Sequence, residues 1–183
     1  MNHCGTQIIE TDRLILRPYR ETDYKAMYKN WASDPVVTRF LTWPAHSSED
    51  VTKMLITSCV ERYENPANYH WGITLKDAGN DEVIGDISVV HMDDRIPSGE
   101  IGYCMGRALW GKGIMTEALT AVKEYLFNAG FLRVCACHDV NNPASGRVME
   151  KAGLKTDGIL PKSGFNNTGV CDIVWHSAIR GEQ

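Results

Sequence analysis

The stretch from Ser98 to Ala129 limits the possible folds more than any other part of this 183-residue chain. It reads as a strand (Gly99–Met105), a glycine-containing turn (Trp110-Gly111-Lys112-Gly113) and an amphipathic helix from Ile114 onward. The start of a helix presents N–H groups without partners and the positive end of the helix dipole. Glycine lets a backbone come close to whatever binds there. No Ser, Thr, Asp or Asn lies between Arg107 and Met115 to cap those N–H groups. The segment is therefore suited to a bound anion, with phosphate the natural candidate.

Two familiar phosphate patterns come close and fail. Gly106 to Gly113 nearly spells the P-loop, but glycine occupies the last position, so the hydroxyl that holds magnesium is missing. The dinucleotide fingerprint fails because Gly111 and Gly113 are followed by Thr116, and no early βαβ unit precedes them.

The rest of the chain supplies the partners for this unit. Strand patterns fall at Arg13–Pro18, Tyr69–Leu75, Val83–His91, Glu100–Met105, Arg133–His138, Leu154–Ile159 and Cys171–Ile179. Helix patterns fall at Glu21–Trp31, at Glu49–Glu64 behind a Ser48 cap, at Ile114–Asn128, and from Asn142 to Ala152-Gly153. Gly164–Gly169 reads as the loop between the last two strands. The order predicts an α+β layer fold, with a mixed, mostly antiparallel sheet of about seven strands flanked by four helices. It forms a single domain over 1–183, with its core at about 8–179.

Net charge of −4 leaves no basic excess, which argues against nucleic acid as a partner. Met1–Thr6 carries no signal-peptide pattern and no run reaches membrane-spanning length, so a cytoplasmic protein without membrane attachment is expected. The six cysteines contain no CxxC pair and read as reduced and structural. The histidines show no metal-ligand spacing, and no metal is expected.

Four ordered segments carry a family resemblance: Glu100-Ile101-Gly102-Tyr103, Trp110 to Leu119, Asn142-Pro143-Ala144-Ser145 and Glu150 to Leu154. Together they resemble the GNAT superfamily of acyl-CoA-dependent N-acyltransferases. Thr11 to Arg17 resembles its RimJ/RimL-like branch, which includes the ribosomal-protein N-terminal acetyltransferases. The resemblance implies acetyl-CoA as cosubstrate. It places the pyrophosphate on Trp110, Gly111, Lys112, Gly113, Ile114, Met115 and Thr116, with Arg107 and Lys112 adding charge. It also implies that the sheet opens between the fourth and fifth strands, so that the pantetheine arm pairs with the Met105 backbone as an added strand would. Asn142 and Ser145 would face the cofactor. Two departures stand out: Met115 occupies the last position of the phosphate pattern, where a small residue is usual, and Met149 stands where many members carry a tyrosine acid.

Acetyl transfer to an amine needs a base for the ammonium proton, a donor for the oxyanion and stabilisation of the departing thiolate. By resemblance Glu100 is the base and Ser145 the acid. Cys104 has no neighbouring histidine, and the family transfers acetyl directly, so a covalent role is not expected for it. The acceptor would lie between Trp43-Pro44 and the Phe165 loop, with Trp43, Trp71, His91, Tyr103 and Phe165 as candidate liners. The branch implies a protein or peptide N-terminal α-amine. A polyamine or aminoglycoside would want acidic lining, with Asp86, Asp93 and Asp94 as possible sources. A non-catalytic acyl-CoA-binding module is the remaining alternative, and a monomer or homodimer is equally compatible with the chain.

Overall fold

The computed structural model describes residues 3–182. Eight strands form one sheet in the order β1-β2-β3-β4-β5-β6-β8-β7. The strands are β1 (Ile9–Glu10), β2 (Leu14–Arg17), β3 (His70–Leu75), β4 (Gly85–Asp93), β5 (Ser98–Met105), β6 (Arg133–Asp139), β7 (Lys155–Asn166) and β8 (Gly169–Ile179). Only β5 and β6 run parallel; every other neighbouring pair is antiparallel. The α-helices are α1 (Tyr24–Met27), α2 (Pro35–Thr38), α3 (Glu49–Glu61), α4 (Ile114–Asn128) and α5 (Pro143–Lys151).

The predicted architecture holds, with local corrections. The expected helix over Glu21–Trp31 is a 3-10 turn, α1 and a wide π-turn at Tyr28–Ala32 in succession. α2 is an additional helix, started by Pro35 and capped by Asp34, whose carboxylate accepts from the Val36 amide at 2.9 Å. Ser48 stands at the N-cap of α3, but its hydroxyl makes no capping bond. The expected Gly164–Gly169 loop is mostly strand, and only Asn167-Thr168 turns. Gly164 extends the pairing because it lies flat against Ile173 of β8, where a Cβ would come within 2.5 Å of the isoleucine side chain.

Side chains alternate across a strand, so the sheet separates two layers. Ile101 and Met105 join Trp71, Ile87 and the buried stripe of α4 in one apolar cluster. Cys104 packs on the opposite side against Tyr19, Trp31, Ile56 and Cys59, beneath α1 and α3.

The parallel pair positions the site. β5 and β6 are paired only from Ser98–Glu100 to Arg133–Cys135, although they continue to Met105 and Asp139. Backbone groups of successive residues turn to opposite edges. Pro97 accepts from the Leu132 amide on the β6 side, and the Gly106 amide donates to Ile84 on the β4 side. By that period Ile101, Tyr103 and Met105 turn their N–H and C=O groups into the gap where the strands part.

Candidate active site

An open cavity of about 450 Å³ fills that gap. β5 contributes Tyr103, Cys104 and Met105, and the glycine turn contributes Trp110, Gly111, Gly113, Ile114, Met115 and Thr116. α5 contributes Asn142, Ala144, Ser145, Arg147, Val148 and Lys151, while the far wall is Val36, Val37, Arg39, Phe40 and Leu41.

The turn is built by backbone. Gly111 and Gly113 both sit at φ 75°, the left-handed region that other residues adopt at a cost. Gly113 is the N-cap of α4, and no side chain caps the helix. Met115 is 5% exposed and packed in the apolar core beneath α4, with part of it touching the cavity wall. The larger side chain at this position is accommodated mostly in the core.

A brace holds this turn from behind. Arg13 donates from Nη1 to the Lys112 carbonyl at 3.0 Å and from Nε to Glu117 at 2.6 Å. The Arg13 amide and the Thr11 hydroxyl reach the other Glu117 oxygen at 3.0 and 2.6 Å. Burial acts to raise the Glu117 pKa, but these hydrogen bonds and the Arg13 charge prevail and lower it. Arg107 instead pairs with Asp34 at 2.9 Å and, like the Lys112 side chain, is not part of the cavity wall. The Trp110 indole donates to the Met105 carbonyl at 2.8 Å. One of the edge groups assigned to a pantetheine arm is therefore already satisfied, leaving the Met105 N–H and the Tyr103 backbone.

Asn142 is the N-cap of α5, ahead of Pro143, yet its amide makes no capping bond. Its side chain is not spent on the helix, and the residue lines the cavity. Ser145 is held by Tyr103. The phenol oxygen lies 2.9 Å from Ser145 Oγ and 3.0 Å from the Ser145 carbonyl oxygen. Burial lifts the Tyr103 pKa well above its usual value, so the phenol stays protonated. Tyr103 is thus a partner of Ser145 as much as a cavity liner.

Glu100 stands outside the cavity wall, at the last paired rung before the strands part, opposite Cys135 on β6 and His91 on β4. The Cys137 thiol lies 3.7 Å from its Oε1. Burial, then the Glu100 charge, push that thiol up to about 12. The Cys104 thiol is likewise raised, by burial and then by Asp86, so neither is a ready nucleophile.

Other acceptor-side expectations need correction. Trp71 is fully buried, donates to the Gln7 carbonyl at 2.7 Å and packs against Tyr69 and Tyr125, so it lines nothing. Asp86 accepts from the Tyr19 hydroxyl at 2.7 Å and lies 2.5 Å from His70 Nε2. Burial alone would lower the His70 pKa, but the Asp86 carboxylate holds it up at about 10. Asp93 pairs with Arg95, and Asp94 with His3. Trp43, His91 and Phe165 lie outside the cavity wall. Trp43 and the Phe165 hairpin are nonetheless joined: the Asn167 amide group donates to the Thr38 and Trp43 carbonyls, each at 2.8 Å, and its backbone N–H to Leu41.

Sequence reasoning did not single out Arg13, the 36–41 wall, Arg147 or Lys151. The last two carried a usable signal, since residues four apart share a helix face. The 36–41 wall carried none, because it reaches the cavity only through tertiary contacts.

An uncapped helix start behind two left-handed glycines suits a pyrophosphate, and an open strand edge suits an extended chain with amides. Comparison with known proteins identifies the family. The acetyltransferase (GNAT) domain matches residues 13–155. The uncharacterized N-acetyltransferase YoaA of Bacillus subtilis (strain 168) is 29% identical, over 94% of this chain and 97% of its own. The ribosomal-protein-serine acetyltransferase of Escherichia coli (strain K12) is 27% identical, over 94% and 96%. The solved structure of RimL, the ribosomal L7/L12 alpha-N-protein acetyltransferase in complex with coenzyme A, superposes with a TM-score of 0.83 at 20% identity, covering 94% of this chain and 98% of that one, and so shares the fold. The matched residues run from the Arg13 brace, through the parted strands and the glycine turn, to the end of α5, and the chain belongs to the GNAT family of acetyltransferases.

Proposed function

We propose that this acetyltransferase transfers the acetyl group of acetyl-CoA to the N-terminal α-amine of a protein or peptide. One observation carries the acceptor class: among the described residues, the cavity wall holds no carboxylate and three basic side chains, Arg39, Arg147 and Lys151. The carboxylates that a polyamine or aminoglycoside would need are engaged elsewhere, Asp86 by Tyr19 and His70, Asp93 by Arg95 and Asp94 by His3. An α-amine carries a single charge and a flexible chain, which the apolar wall of Val36, Val37, Phe40 and Leu41 can accommodate. The likeness to a ribosomal-protein-serine acetyltransferase supports the same class.

In this reading acetyl-CoA supplies an activated acyl group. The N–H groups at the start of α4 hold its pyrophosphate, and Arg147 and Lys151 add positive charge along α5. The free backbone groups of Tyr103 and Met105 hold the pantetheine amides in line. Glu100 takes the proton from the acceptor ammonium through water, from its place beside the parting of the strands and outside the cavity wall. Ser145 donates a hydrogen bond to the departing sulfur. The free thiols of Cys4, Cys59, Cys104, Cys135, Cys137 and Cys171 suit a reducing compartment, so we assign the reaction to the cytoplasm.

Two observations support catalysis over a non-catalytic module: Met115 packs into the core, and the Tyr103 phenol lies 2.9 Å from Ser145 Oγ.

The test is thiol release from acetyl-CoA with a panel of peptides, the same peptides blocked at the N-terminus, polyamines and aminoglycosides, with products identified by mass spectrometry. Free-N-terminus peptides should be acetylated and blocked ones spared, and Glu100→Gln should lower kcat by about 10²- to 10⁴-fold. Turnover confined to polyamines would remove the acceptor class, and a wild-type rate from the variant would remove Glu100 as base.

A further inference from the structure

We propose that Tyr103 is a positioning residue that sets the direction of the Ser145 hydroxyl and frees its proton for the sulfur only when negative charge develops there. The proposal rests on the reading that Ser145 faces the departing sulfur, and it gives the phenol a role that reading does not use.

The argument is a proton count. The Tyr103 hydroxyl has one proton and lies within reach of two oxygens of the same residue, the Ser145 carbonyl at 3.0 Å and Oγ at 2.9 Å. A carbonyl only accepts. Two arrangements therefore exist. In the first, the phenol donates to the carbonyl and Ser145 donates back to the phenol oxygen. Both bonds are made, and the serine proton points away from the cavity. In the second, the phenol donates to Oγ, and the serine proton is released into the cavity.

The second arrangement gives up one neutral hydrogen bond. It is favoured only if the released proton finds something better. A thioester sulfur is a weak acceptor and does not compensate. A thiolate does, because a hydrogen bond to an ion is roughly twice as strong as a neutral one. The pair thus rests in the first arrangement and moves to the second as the C–S bond breaks and its electrons pass to sulfur. A donor that engages only at that stage stabilises the transition state more than the ground state. Accepting a bond from the phenol also polarises the serine O–H and strengthens its donation. No proton leaves Tyr103; Glu100 takes the ammonium proton, and the second proton, shed by nitrogen as the amide forms, passes to the thiolate to give the thiol of coenzyme A.

The rest of the site makes this geometry rigid. Tyr103 extends from β5, the strand whose edge lines the gap, while Ser145 lies in the first turn of α5. Burial keeps the phenol neutral across the working pH range, so the relay never loses its donor. Met149, one turn beyond Ser145, is buried in the core and leaves the serine with the strand's phenol.

The experiment needs no acceptor. Binding of coenzyme A by the full chain is measured by calorimetry from pH 7 to pH 9, with desulfo-coenzyme A as the control lacking the sulfur. A hydrogen bond to the bound thiolate lowers the thiol pKa in the complex, so wild-type affinity for coenzyme A should rise about three- to tenfold over this range relative to the control. Ser145→Ala and the double variant should lose that rise, and Tyr103→Phe should lose most of it because the serine hydroxyl is then neither aimed nor polarised, with affinity for the control unchanged in all three. The double variant should show no more loss than Ser145→Ala alone, because residues acting as a unit are not additive. Loss in Ser145→Ala with full retention in Tyr103→Phe overturns the proposal and leaves Ser145 in place. Retention in Ser145→Ala, or no rise in the wild type, overturns both.

Discussion

The two layers on either side of the sheet are built by different means. The layer beneath α4 and α5 is almost wholly apolar, and its functional turn is made from backbone and two glycines in a run of four residues. The layer beneath α1 and α3 mixes apolar side chains with buried polar pairs. Arg17 and Asp23 form a bidentate ion pair at 2.8 and 3.0 Å, both almost without exposure. Tyr19, Asp86 and His70 form a second group, and the Tyr63 hydroxyl donates to the His70 carbonyl at 2.7 Å. The turn on the first layer uses what every backbone offers. The second layer is held by side-chain pairs from distant segments, as in Tyr19 with Asp86.

The largest effect that would test this contrast is on stability. Asp86→Asn removes the carboxylate from a buried pair and should cost about 3–5 kcal/mol in denaturant unfolding, the usual result of leaving one partner of such a pair. Its pH signature is specific. His70 is raised from 6.5 to about 10 in the folded state, so its contribution is full below pH 6.5 and is lost as pH rises through 10. Wild-type stability should therefore decline across that window, and Asp86→Asn should flatten the decline. An apolar substitution under α4, such as Ile101→Val, should cost about 0.5–1.5 kcal/mol with no pH signature. If the slopes of wild type and Asp86→Asn coincide, the polar account of this layer is wrong.

The second effect tests how the backbone turn is held. Glu117 puts a carboxylate in the first turn of α4, the helix proposed to hold the pyrophosphate, and Arg13 pairs with it. Arg13→Ala should raise KM for acetyl-CoA about tenfold, by lost support for Lys112 and by an unpaired charge, with kcat unchanged. Adding Glu117→Gln should recover most of the loss, leaving about threefold. A third, smaller effect is local. A Cβ on Gly111 meets nothing within 4 Å, so Gly111→Ala should cost only the left-handed backbone penalty, about 1 kcal/mol, read as about a fivefold rise in the same KM.

The contrast also explains what the sequence made legible. α4 was readable to its end residues because its apolar stripe, glycines and lack of a cap are all local. Strand positions were readable from alternation. The parting of β5 and β6 rested on family resemblance, since no residue pattern announces where pairing stops. The first helical segment is less regular than its pattern predicts: Tyr28–Ala32 widens into a π-turn, and nothing in the local sequence marks it. Trp71 was assigned to an acceptor surface on its aromatic character, yet its burial depends on Tyr69, Tyr125 and Gln7, which periodicity does not bring together. Arg13 stood in a quoted motif without a task, because its partner Glu117 lies 104 residues away.

The smallest effect addresses the acceptor side directly. Asn167, at the tip of the β7–β8 hairpin, makes three hydrogen bonds to the carbonyls of Thr38, Leu41 and Trp43. These carbonyls flank Arg39 and Phe40, which line the cavity wall opposite α5. The hairpin thus fixes the wall that the proposed function gives to the acceptor. Asn167→Ala removes the two side-chain bonds and keeps the backbone bond to Leu41. Both bonds lie near solvent, where water replaces part of what is lost, so the stability change should stay at or below about 1 kcal/mol. The kinetic change should be selective: KM for the peptide acceptor rises about threefold, while KM for acetyl-CoA and kcat hold. Equal changes in both KM values would mean that the 36–41 wall serves the donor as well, and the division of labour between the two layers would no longer describe the cleft.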